Sequence, residues 1–272
     1  MTAGVIPLDT LTAPERHVFL SPHYDDIALS CGGTAALLAR SGRTPEIVVI
    51  FGSPPDPEQP LSGFAKWQHE RWGVTATDAI AHRRAEEEAA ARLLSATVRV
   101  LPFRDAIYRG ERYTDDSALF GEPAPDESAL PVEIASAVRA LLDARRTTRV
   151  YAPLAIGKHV DHQLLHQAAV DLTREGADVW LYEDLPYAAR AGAVDARLRQ
   201  LEDQISVVGL VRVGSVWDVK IDAIMSYRSQ LAAIFGGIAE PPTRDVIDRA
   251  LRDYGKTVGQ GEAAERFWRT TR

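Results

Sequence analysis

The chain has 272 residues, 46% hydrophobic and 25% charged, which excludes a mainly disordered or collagen-like polypeptide and allows a sizeable core. Its 31 basic and 38 acidic side chains give a formal charge of −7, which argues against nucleic acid or an anionic membrane as partner and suits a small neutral or cationic molecule. The single cysteine, Cys31, excludes an internal disulfide and any zinc site needing two thiolates from this chain. The opening MTAGVIPLDTLTAPER lacks a basic and an apolar signal region, and no segment approaches about 18 uninterrupted apolar residues, so the expectation is a cytoplasmic protein that does not span a membrane.

In chain order, short runs rich in Val, Ile and aromatics alternate with stretches of helical period. HVFLSP (17–22), EIVVIFGS (46–53), VRVLPF (98–103), RVYAPL (149–154) and DVWLYEDL (178–185) predict buried strands. Between them SCGGTAALLARSG, AIAHRRAEEEAAARLLSA, PVEIASAVRALLDARR and HQLLHQAAVDLTREG predict helices. This alternation implies an α/β, Rossmann-like fold, a mostly parallel sheet with helices on both faces. Two inserts interrupt it, about 54–77 with Phe64, Trp67 and Trp72, and about 104–130, charged and containing proline. Loops of this length are usually functional or mobile, so the first is a candidate substrate lid. Beyond 190 the pattern predicts a helix (194–204), a strand (207–217) and helices near 219–235 and 243–254. No internal repeat or linker stands out, and residues 1–272 read as one domain, a core over about 17–190 with a C-terminal extension over 191–272.

The first strand runs into SPHYDD (21–26) and the fourth into AIGKHVDH (155–162), and ligands of open α/β sheets bind beyond the carboxyl ends of strands. His23 and Asp26 are three apart, a spacing that lets both reach one ion and turns Asp25 elsewhere. Adjacent carboxylates repel, and a cation relieves the repulsion. His159 and His162 repeat the spacing, with Asp161 available to hydrogen-bond an imidazole and fix its tautomer. A His, Asp, His set with open positions suits catalytic Zn²⁺, which lowers the pKa of its water from about 15.7 to about 7 and polarises a carbonyl. Fe²⁺ or another divalent metal suits the same donors.

SPHYDD and HVDH resemble the paired PHxDD and HxDH signatures of the PIG-L/LmbE N-deacetylase family, a resemblance covering roughly 17–185. It implies zinc held by His23, Asp26 and His162, and Asp25 as general base. It also implies that His159 supports the oxyanion or leaving group, protonated as the tetrahedral intermediate forms. Asp161 completes the expected catalytic set. The sequence departs from the commoner PHPDD form at Tyr24. AHRRAEEEAAARLL resembles a family element whose arginine contacts the sugar, which would be Arg83, with Glu86. SPHxDDxxLSCGG, YEDLPYA (182–188) and ERFWR further resemble glycopeptide-pathway deacetylases acting on an N-acetylglucosaminyl pseudoaglycone, whose bulky aglycone the aromatic insert, with Trp67 and Trp72, would cover.

The expected activity is therefore hydrolysis of the N-acetyl amide of an N-acetylglucosamine-type sugar, a small-molecule substrate. Two alternatives stand beside it: a thiol-conjugate amidase of the same family, and a non-catalytic relative that binds a glycan or partner. His166, a turn beyond His162, and Cys31 read as packed residues, and Tyr227 could reach the site from a helix. GxGxxG, GxxxxGK[ST] and GxSxG are all missing, which removes dinucleotide, P-loop and serine-hydrolase readings. Nothing in the sequence sets an oligomeric state.

Overall fold

The computed structural model describes residues 3–73, 78–236 and 242–271. Its strands are β1 (Arg16–Ser21), β2 (Pro45–Val49), β3 (Thr97–Val100), β4 (Thr148–Pro153), β5 (Asp178–Tyr182), β6 (Ile205–Arg212) and β7 (Ala264–Thr270). The helices are α1 (Leu8–Thr12), α2 (Asp26–Arg40), α3 (Gly63–Trp72), α4 (Ala79–Leu93), α5 (Asp116–Leu119), α6 (Leu130–Arg139), α7 (Val160–Arg174), α8 (Ala193–Leu201), α9 (Trp217–Ile224), α10 (Arg228–Phe235) and α11 (Arg244–Val258). Among the described residues no helix is long and apolar enough to cross a membrane.

All seven strands form one sheet in the order β3-β2-β1-β4-β5-β7-β6. β1 to β5 pair in parallel, and β7 lies antiparallel to both β5 and β6. The chain steps from β1 outward to β2 and β3, then returns to lay β4 on the other side of β1. Right-handed crossovers therefore place α2 and α4 on one face and α7 on the other. Contacts of α9 with α2 and α4, and of α6 with α7, complete the two layers. The loops after β1 and β4 leave the sheet where the strand order reverses, the place where such sheets open a crevice.

Several elements differ from expectation. The helix expected from Ser30 starts at Asp26, directly after the motif loop, and is broken at Cys31 (φ −137°, ψ 24°). Charges from the C-terminal segment fill the break. Glu265 of β7 accepts from the N–H groups of Gly33 (3.0 Å) and Thr34 (2.7 Å), while Lys220 of α9 reaches Ser30 O (3.4 Å) and pairs with Glu265 at 2.7 Å. Position 33 has to be glycine, since a Cβ there would stand 2.7 Å from Val213 and 2.9 Å from Glu265. The expected 207–217 strand ends at Arg212, the expected 219–235 helix divides into α9 and α10, and β7 was not expected.

The first insert holds a helix, α3. The Ser62 hydroxyl caps it by accepting from Ala65 N–H (3.1 Å), and Gly73, left-handed at φ 64°, ends it. Residues 74–77 of that insert lie outside the described residues. Around α3 a second apolar cluster gathers Ala65, Ile107, Tyr108, Tyr113 and Leu119.

Candidate active site

Strand β1 delivers His23, Asp25 and Asp26 to the crevice, and β4 delivers His159 and His162 at the start of α7. All five are buried. Asp26 lies between two imidazoles: its Oδ2 is 3.4 Å from His23 Nδ1 and its Oδ1 is 3.4 Å from His162 Nε2. The far nitrogen of each ring is held by another buried carboxylate. His23 Nε2 is 2.9 Å from Asp161 Oδ2, and His162 Nδ1 is 2.7 Å from Asp184 Oδ1. Donation of N–H to those acids leaves Nδ1 of His23 and Nε2 of His162 with free lone pairs, both turned towards Asp26.

The donor set fits a divalent ion. Ligands about 2.0–2.2 Å from a tetrahedral ion stand about 3.3–3.6 Å apart, which is the spacing Asp26 keeps to each ring. His23, His159 and His162 also offer nitrogens within 4.8 Å of one another. A second such group, His23, Asp105 and Asp161, is occupied by neighbours. Asp161 already accepts from Arg109 Nη1 (2.6 Å) and Ala106 N–H (2.9 Å), and Arg83 Nη1 lies 3.8 Å from Asp105. Among the described residues, His23 and His162, with Asp26 between them, thus keep donor atoms open to an ion.

The carboxylates have divergent protonation. Burial and the adjacent Asp26 charge push Asp25 up to about 8, against the pull of Arg83. Burial would also raise Asp26, but His162 and His23 outweigh it and hold Asp26 at about 2. The His23 ring, which burial alone would lower, stands well above the usual imidazole value because Asp105, Asp161 and Asp26 surround it. His159 goes the other way, depressed by burial and by the two neighbouring histidines. Its Nδ1 accepts the Asp161 main-chain N–H at 3.2 Å, so the neutral ring carries its proton on Nε2.

Backbone strain concentrates here. Asp25 has φ 104°, and Ala155, Gly157 and Lys158 of the β4–α7 loop are left-handed at 62°, 93° and 65°. A non-glycine residue held this way costs about 1–3 kcal/mol and persists only where surroundings over-determine it. Asp184 supplies part of that restraint by accepting from Ile156 N–H at 2.9 Å. Gly157 is required twice, since a Cβ would also meet Tyr187 Cγ at 2.5 Å.

The family model for the GlcNAc-PI de-N-acetylase PIG-L matches residues 18–173. The chain belongs to the PIG-L family. The chain is 33% identical over 239 residues to the 2'-N-acetylparomamine deacetylase of Niallia circulans, covering 82% of this chain and 83% of that one. The enzyme of the same name from Streptomyces fradiae is 33% identical over 263 residues, covering 92% and 85%. Among solved structures, the A40926 pseudoaglycone deacetylase Dbv21 superposes with a TM-score of 0.75 at 28% identity, covering 95% of this chain and 98% of its own. This PIG-L protein is accordingly an N-deacetylase, and its site offers a His/Asp donor set that supports a divalent metal. A likeness to a hydratase, GalB of Pseudomonas putida, with a TM-score of 0.55 at 18% identity, shows the fold alone.

His23, Asp25, Asp26, His159 and His162 open into a cleft of about 300 Å³. Of the residues expected to meet substrate, Arg83 and Trp72 line it, with the Arg83 guanidinium 4.9 Å from the Trp72 ring centre. Trp67 is not among the lining residues. It is 43% exposed, stacked on Phe64 and covered by Arg71 at 4.7 Å. Glu86 faces Ser229 rather than the cleft. Asp161 lies wholly buried beneath His23, a ring of the other motif. Tyr24 fits the motif loop by donating its hydroxyl to Gly52 O at 2.8 Å. His166 packs, with Nδ1 3.0 Å from Pro153 O, and Cys31 is buried and free.

Sequence reasoning missed Asp184, Asp105, Arg109, Phe120 and Tyr187. The strand-end rule that found His23 and His162 applies equally to Asp184, two residues past β5. Asp105 and Arg109 sit in the second insert, where no local pattern marks them.

Proposed function

We propose that this PIG-L deacetylase hydrolyses the N-acetyl amide of an amino sugar in an aminoglycoside-type intermediate, using zinc held by His23, Asp26 and His162. The observation that carries this reading is the convergence of two carboxylate-backed imidazoles on Asp26 at 3.4 Å each, beside Asp25, whose Oδ2 lies 3.6 Å from Arg83 Nη2. When bound, the ion supplies a Lewis acid for the amide carbonyl and a lowered water pKa.

The chain's own residues supply the rest. Asp25 takes the proton of the attacking water and returns it to the amide nitrogen as the C–N bond breaks, so that acetate and the free amine leave. Asp25 stands raised beside the charged Asp26, and an ion held there would offset part of that repulsion and favour its ionised form. His159, whose Nδ1 accepts the Asp161 main-chain N–H, presents its Nε2 side to the developing oxyanion. Asp161 and Asp184 orient the ligand rings. Trp72, Phe120 and Tyr187 offer aromatic walls for sugar faces, with α3 as one side of the cleft. The volume of about 300 Å³ suits a sugar with one attached ring, as do the 33% identical paromamine-type relatives. A glycopeptide pseudoaglycone is the second reading, favoured by the 95% coverage of Dbv21. The free, buried Cys31 accords with a reducing, cytoplasmic setting. The continuous sheet supports reading 1–272 as one domain.

The test is acetate release from 2'-N-acetylparomamine and from an N-acetylglucosaminyl pseudoaglycone, with ion content measured on the same sample. About one equivalent of zinc and faster turnover of the aminoglycoside are expected. Asp25→Asn should keep the ion and lose about 10²- to 10⁴-fold in turnover. Full activity in that variant, or in protein stripped of its ion, would end this reading.

A further inference from the structure

Helix α4 carries two consecutive buried carboxylates, Glu86 and Glu87, that the chemistry above does not use. Glu87 gives one oxygen, Oε2, to two donors: the main-chain N–H of Asp25 at 3.0 Å and the hydroxyl of Tyr227 at 2.8 Å. Its Oε1 is buried without a hydrogen-bond partner among the described residues. One turn earlier on the same face, Arg83 Nη2 donates to Tyr24 O at 3.2 Å. Tyr24 C=O and Asp25 N–H belong to a single peptide group. That group is therefore gripped at both ends by residues four apart on one helix.

The gripped peptide sets the direction of the Asp25 side chain, and its φ of 104° needs external restraint to persist. The same oxygen extends the grip to the cleft wall. Tyr227 immediately precedes α10, which contributes Gln230, Ala233 and Ile234 to the cleft. Glu86 secures the same helix end by accepting from Ser229 N–H (2.8 Å) and its hydroxyl (2.7 Å).

We propose that Glu87 is a positioning residue for Asp25: it fixes the Tyr24–Asp25 peptide together with Arg83 and, through Tyr227, couples the base to the wall helix α10. The proposal rests on Asp25 being the general base. Loss of the Glu87 oxygen frees the peptide to rotate and swings the carboxylate away from its target. A misplacement of about 1 Å costs about 10²-fold in rate, while Glu86 still holds the wall helix through Ser229.

The experiment is steady-state deacetylation of 2'-N-acetylparomamine by the full chain, with ion content measured for every variant. Glu87→Ala should lower kcat about 10²-fold with KM within about threefold of the parent and the ion retained. Glu87→Gln has an amide oxygen for the same two donors and should recover to within about tenfold of the parent, which separates an acceptor role from a need for charge. Tyr227→Phe keeps the core shape and should lower kcat by about three- to tenfold, about the strength of one hydrogen bond. Parental kcat in Glu87→Ala, or equal losses in the Ala and Gln variants, would overturn the proposal. Should Glu87→Ala not fold, parental kcat in Tyr227→Phe or an inactive Glu87→Gln would do so. Asp25→Asn run alongside separates the failures: if it is fully active, the underlying assignment of the base is wrong, whereas an inactive Asp25→Asn beside a fully active Glu87→Ala rejects only the role of Glu87.

Discussion

Strand β1 has a buried histidine near each end, and the two behave oppositely. His17, at its start, has Nδ1 3.1 Å from the Tyr151 hydroxyl; burial, with Arg149 and Arg43 nearby, pushes it down to about 4. His23, two residues past its finish, is held well above the ordinary value by Asp105, Asp161 and Asp26, which outweigh its burial. The same side chain on the same strand is a neutral packing group at one end and a candidate ligand at the other. The difference comes from what the loops bring. At the carboxyl end, three crossover connections converge and bring acids; at the amino end, the charged neighbours that act on His17 are arginines.

That contrast can be broken at either end. The largest effect belongs to His23→Ala, which should abolish acetate release and leave the purified protein without its ion, whereas His17→Gln should retain activity within about twofold. If His23→Ala still binds one equivalent, the two ends are not distinct. A smaller loss belongs to Asp161→Asn, which leaves every proposed ligand in place. Weakening the partner of His23 should reduce ion affinity about 10- to 100-fold, read by competition with a chelator. An unchanged affinity would mean that His23 does not depend on the other motif.

The smallest effect is on stability against pH. The folded-state value of His17 lies below its ordinary 6.5, so between about pH 6.5 and 4 the unfolded chain binds the extra proton. Stability is therefore fully present above about 6.5 and is withdrawn as pH falls through that window, at up to about 1.4 kcal/mol per pH unit for one group. His17→Gln should flatten the acid slope of denaturant-unfolding free energies. It should not remove the slope, because burial lowers His166 to about 4 as well. A slope identical to the parent's would show that His17 does not titrate as its surroundings imply.

The parallel half of the sheet was legible because each of its strands is a run of Val, Ile and aromatics buried by crossover helices, and because chemistry collects at strand ends. Both motifs and their approach to one another followed from that rule. The antiparallel edge was not legible. AERFWRT, which forms β7, mixes charges with aromatics and has no period-2 pattern, and its Glu265 is buried only because Lys220 and the broken α2 meet it from far along the chain. The start of α2 was misplaced for the same reason, since Ser30 and Cys31 read as a helix beginning when they mark a break within one. Asp161 was expected to serve an imidazole, and its service to the ring of the other motif is a fact of tertiary approach, invisible to spacing.

The plug in α2 also bears on how small a working enzyme could be made. A version trimmed after residue 190 would keep both signatures and every proposed ligand, yet would lose both Lys220 and Glu265. Stripping one side of such a pair typically costs about 3–5 kcal/mol, and losing both uncaps the interior of the very helix that begins at Asp26. The shortest viable catalyst should thus extend through the last strand, and its engineering latitude should lie in surface residues and insert loops rather than at the carboxyl terminus.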